Sequence, residues 1–131
     1  MILEYLSIIS KAVIFISIIN VWFFRFNNPT PYRGGGAKSM KEEFQVYGFS
    51  TTVMYLIGTL KVLLAATLVI SIWYSEFSNP AAGGMGILML GAIFMHFRAN
   101  DPNIRSCPAL LFFLLSIGII IIDIVQQEAI Y

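Results

Sequence analysis

The 131 residues carry a formal net charge of +1, and 58% of them are hydrophobic against 11% charged, where a soluble domain of this size has roughly a quarter charged. This balance excludes a water-solvated globule and requires lipid as solvent. A near-neutral charge with no basic run excludes nucleic acid as a partner. The length is that of a single domain, residues 1–131.

A bilayer core takes about 20 apolar residues in helix, and four windows satisfy that: 5–24, 50–73, 81–97 and 108–125. They predict an all-α fold, a four-transmembrane-helix bundle. In the first window no basic segment precedes the apolar run, and Trp22, Phe23 and Phe24 stand where a cleavage site needs small residues. The window is therefore read as a retained span. Its polar residues, Ser7, Ser10, Lys11, Ser17 and Asn20, fall on one broad side at about 100° per residue, which predicts that this side faces other helices.

Residues 25–49 form the long connection, opened by Asn27-Asn28-Pro29-Thr30-Pro31 and the glycines 34–36, all helix-breaking. Ser39-Met40-Lys41-Glu42 reads as a capping box, and Phe44, Val46, Tyr47 and Phe49 then predict a short interfacial helix leading into the second span. That span places Lys61 on a face with Gly58 and Ala65. Small residues in membrane helices mark close helix contact, so Lys61 is expected inside the bundle, where an unpaired ammonium costs about 3 kcal/mol or more. It is the leading candidate for a binding group.

A turn is expected at Asn79-Pro80, with the third span following. Met85, Met89, Ala92 and His96 share a face there, while Gly84 and Gly91 offer a second small-residue surface for helix packing. His96 is the chain's single histidine and Cys107 its single cysteine, so no metal site, disulfide or dithiol is expected within one chain, and no catalytic constellation is visible. The connection 98–107 leads through Cys107-Pro108 to the fourth span, whose Asp123 is expected to form an ion pair with Lys11 if spans one and four are neighbours. Basic residues Arg25, Arg33, Lys38, Lys41, Arg98 and Arg105 all lie on the first and third connections. By the positive-inside rule connections 25–49 and 98–107 are cytoplasmic and both termini are outside, in a cell or inner membrane. Asn20 and His96 then sit near the inner surface.

Pro31-Tyr32-Arg33, Lys41-Glu42-Glu43-Phe44, Tyr55-Leu56-Ile57-Gly58-Thr59-Leu60-Lys61, Met89-Leu90-Gly91-Ala92-Ile93-Phe94-Met95-His96 and Asp101-Pro102, in this order, resemble the DoxX-like family of small membrane proteins. The resemblance implies a four-helix bundle. Some relatives look like the small subunit of a thiosulfate:quinone oxidoreductase, and many carry a glutamate where this chain has Lys61. Two functional readings follow. One is a non-catalytic subunit or assembly module that meets lipid and a membrane-protein partner or a second copy of itself. The other is a redox-linked component holding a quinone-like cofactor near Lys61, His96 and Asn20. A cavity beside Lys61 of about 300 Å³ or more favours the second.

Overall fold

The structure, a computed structural model, describes residues 2–130, with side chains for residues 2–128. Helix α1 is Ile2–Ile19 continued by the π-helical turn Asn20–Phe24, which the Arg25 amide closes on the Asn20 carbonyl at 2.9 Å. Helices α2, Met40–Val46, and α3, Thr51–Ile70, follow. Helices α4, Ser78–Arg98, and α5, Asn103–Ile130, complete the chain. Four segments are long and apolar enough to cross a bilayer: Ile2–Phe24, Thr51–Ile70, Ser75–Arg98 and Asn103–Glu128.

The short elements start where local chemistry predicts. The Ser39 hydroxyl accepts from the Glu42 amide at 3.1 Å, the front half of a capping box. Ser50 caps α3 through the Val53 amide at 3.3 Å. Two boundaries differ from expectation. Asn79-Pro80 is not a turn but lies in the first turn of α4, where a missing proline amide breaks no bond; the chain turns earlier, between Ser71 and Phe77. Likewise α5 begins at Asn103 rather than Pro108, because a proline this near the N-terminus deprives the helix of one bond only.

Helix α1 packs on α3 and α5, and α4 packs on the same two, so the spans form a ring in the order α1, α3, α4, α5. Alternating span directions bring the connections 25–50 and 99–102 to one end, where they touch. The buried stripe of α1 is Ser7, Lys11, Ile14, Ile18 and Trp22. Of the polar side expected to face inward, Ser10 and Ser17 are half-buried and Asn20 is exposed. Ser10 satisfies its hydroxyl on the Leu6 carbonyl at 2.8 Å, so it needs no neighbouring helix. Successive four-residue steps overrun an α-turn by about 40°, and the wider π-turn keeps Trp22 in the stripe.

Small residues admit the closest approaches. Trp22 lies against Gly58, Leu64 against Gly84, and Phe113 and Ser116 near Gly86, while Ala65 is wholly buried. Gly91 has open space around it, and Ala92 is half-buried. Large apolar side chains such as Ile16, Leu63, Ile87 and Leu114 point outward, as a lipid solvent permits.

Candidate functional site

Between α1, α3, α4, α5 and the first connection lies a cavity of about 750 Å³, within the 300–1,000 Å³ typical of small-molecule sites. The sequence candidates Asn20, Lys61 and His96 all line it, on three different helices. Its middle is apolar, with Ile57, Leu88, Met89 and Phe112. Its polar wall lies at the end where the two connections meet.

That wall is held by a continuous hydrogen-bonded chain. Arg33, 3% exposed, donates to Glu43 Oε2 at 3.1 Å and to the Asn28 carbonyl at 3.2 Å, and also reaches the Arg25 carbonyl. Glu43 Oε1 accepts from the Gly34 amide and the Tyr47 hydroxyl, both at 3.1 Å. Tyr47 Oη lies 3.3 Å from His96 Nδ1, which is 2.8 Å from Asp101 Oδ2. Asp101 Oδ1 accepts from the Gly35 amide at 2.9 Å and from Arg105 at 2.6 Å. Two arginines and two carboxylates thus enclose a tyrosine and a histidine, tying the first connection to α4 and α5.

The chain fixes its own proton positions. With the Tyr47 hydroxyl donating to Glu43, Nδ1–H of His96 donates chiefly to Asp101 and more weakly to Tyr47 Oη. Nε2 of His96 then has no protein partner among the described residues. Burial pushes the Asp101 carboxyl up, but the bonds from Gly35, His96 and Arg105 together outweigh it and hold its pKa below the ordinary carboxylate value. Burial, then the adjacent Glu43 carboxylate, raises the Tyr47 phenol well above its usual range, so it stays protonated.

Lys61 stands midway along α3. A helical Cα–Cβ bond tilts toward the helix N-terminus, so the side chain leans toward the polar end of the cavity. Its ammonium lies 5.9 Å from the centre of the Trp22 ring, in range for a cation–π contact, and makes no hydrogen bond or ion pair among the described residues. Trp22 is itself wedged between Gly58, Phe26 and Phe44, with both ring centres 6.1 Å away.

The other expected pair is placed differently. Helices α1 and α5 are neighbours, as that pair requires. Yet among the described residues no N–O approach within 4.0 Å joins Lys11 and Asp123, and Asp123 Oδ2 is buried without a hydrogen-bond partner.

Sequence reading missed the structural roles of Arg33, Glu43, Tyr47 and Asp101. Arg33 and Glu43 are separated by a glycine run and a helix start, and Tyr47 meets His96 only through the fold, so no helical period links them. The signal that was available is chemical: an arginine next to glycines 34–36, and Asp101 shortly after the single histidine.

Residues 35–119 match the family described as DoxX-like. No curated protein and no solved structure matches the chain.

Proposed function

The chain belongs to the DoxX-like family of membrane proteins, and from that footing we propose that it binds an amphipathic small molecule within the bilayer. The observation that carries this reading is the 750 Å³ cavity at Lys61, in place of the packed lysine a pure scaffold would have. Lys61 Nζ offers a donor and His96 Nε2 an acceptor that the described residues leave unused, beside an apolar space for a ring or chain. A quinone-like ligand, the one implied by the resemblance, fits this pattern through its carbonyl oxygens. Asn20 lies on the cavity wall as a further polar group. One cysteine leaves the chain no dithiol, so electron exchange with such a ligand would draw on a partner protein.

A second reading, the non-catalytic subunit or assembly module, is favoured by Gly83, Gly91 and Gly118, where a Cβ would meet open space. A helix of a second copy or of another membrane protein could approach closely there. In either case the basic end bearing Arg25, Lys38, Lys41, Arg98 and Arg105 is the cytoplasmic one, and α2 lies at that interface.

The test is mass spectrometry of protein gently purified from its own membrane, beside Lys61→Leu. A quinone or other amphiphile retained by the wild type and lost from the variant is the expected result. Proteins co-purifying equally with both, with no small molecule retained by either, would replace binding with the module reading.

A further inference from the structure

The charges around the cavity do not balance: Arg25 and Lys61 are both without a carboxylate partner among the described residues, Arg25 exposed at the polar end and Lys61 at mid-span. Four basic side chains line it, Arg25, Arg33, Lys61 and Arg105, against the single carboxylate of Glu43. Asp101 stands behind His96 as a second. Both oxygens of Glu43 are taken, by Arg33, Gly34 and Tyr47, and both oxygens of Asp101 by Gly35, Arg105 and His96. Neither carboxylate comes within 4.0 Å of Lys61 Nζ among the described residues.

Lys61 Nζ thus lies at mid-span with an aromatic face at 5.9 Å and no carboxylate oxygen within 4.0 Å among the described residues. A lone charge at that depth costs more than a cation–π contact returns. A neutral ligand would fill the cavity and exclude water without supplying the missing charge. An anionic one would supply it through a charge-assisted hydrogen bond, stronger than a neutral one.

Resting on the reading of the cavity as an amphiphile site, we propose that its ligand carries an acidic head group: one negative charge shared over oxygen atoms, bonded by Lys61, on an apolar body. Two sources share this chemistry, the carboxylate of a long-chain fatty acid and the ionised ring hydroxyl of an alkylated hydroxyquinone. His96 Nε2 donates to the same head group only when the imidazole is protonated, and otherwise accepts. Lys61 is therefore the residue that selects charge.

The experiment measures saturable binding of four radiolabelled probes to the full chain in nanodiscs, corrected by empty nanodiscs, under mildly alkaline conditions that ionise both acids. The probes are palmitate and its neutral counterpart hexadecanol, and an alkyl hydroxynaphthoquinone and its O-methyl ether. Wild type and Lys61→Arg should prefer one acid over its neutral counterpart by at least about tenfold, and Lys61→Met should lose the preference. Whichever acid wins assigns the source. Lys61→Met removes a buried charge and keeps the side-chain volume, and its monodispersity and helical content verify the fold. If the neutral probe binds wild type as tightly as its acid, or Lys61→Met keeps the preference, the charge inference is overturned and the amphiphile site stands. If no probe binds saturably, both fall.

Discussion

Replacing Gly58 by alanine tests the close approach of Trp22 to α3. A Cβ built there lies 2.4, 2.6 and 2.8 Å from three carbons of the Trp22 ring, where carbon contacts are optimal at about 3.5–4.0 Å. The ring must retreat by about 1 Å, and it is hemmed in by Phe26 and Phe44. Overpacking of this kind costs about 1–3 kcal/mol, and the better helix propensity of alanine returns about 1 kcal/mol. The net expectation is a loss of about 0–2 kcal/mol. Gly91→Ala supplies the control, since the same propensity gain applies in a helix interior but its Cβ meets nothing within 4 Å. The propensity contribution cancels in the comparison, leaving Gly58→Ala less stable than Gly91→Ala by about 1–3 kcal/mol. SDS-driven unfolding in mixed micelles, followed by helical circular dichroism, measures that difference. Equal stability of the two variants, or a more stable Gly58→Ala, would refute the packing argument.

The polar wall makes three further predictions. At Gly34 an added Cβ lands 2.1 Å from Tyr47 Oη, so Gly34→Ala should cost about 1–3 kcal/mol; a double-mutant cycle with Tyr47→Ala should show strong coupling, and additive losses would place the damage elsewhere. The Asp101 carboxyl has its pKa depressed in the folded state, so its contribution to stability is full above the ordinary value of 3.8 and is lost as pH falls through the folded pKa. Unfolding measured across that acid range should show this loss in the wild type and its absence in Asp101→Asn. For topology, Lys38→Cys on a Cys107→Ser background should resist an impermeant maleimide in right-side-out vesicles until they are permeabilised, and immediate labelling would reverse the orientation.

Most of the architecture was legible because membrane insertion is decided residue by residue. Four long apolar windows must become helices in lipid, where every backbone amide has to bond within its own segment. The Ser39 and Ser50 caps were readable for the same local reason. The ends of the spans were less so: Pro80 could be read as a first-turn residue, but that α4 begins at Ser78 and α5 at Asn103, five residues before Pro108, depends on the turns and neighbours beyond.

For the site, the sequence singled out Lys61, His96 and Asn20 because charged and amide groups are rare in apolar helices, and rarity is visible one residue at a time. It could not show that they share a cavity, since they lie on α3, α4 and α1. Nor could it pair Arg33 with Glu43 or His96 with Asp101 and Tyr47, because those contacts form only when two connections meet at one end of the bundle. The Lys11 and Asp123 expectation shows the same limit: depth and helix order could be argued from sequence, but a direct bridge depends on rotation of each helix about its axis. By itself the sequence determined the solvent, the number of spans and the residues too polar to be casual. Only the tertiary structure decided their partners, pairing Arg33 with Glu43 and Arg105 with Asp101 at the polar wall and leaving Lys61 beside the Trp22 ring, because pairing is a property of distances between helices.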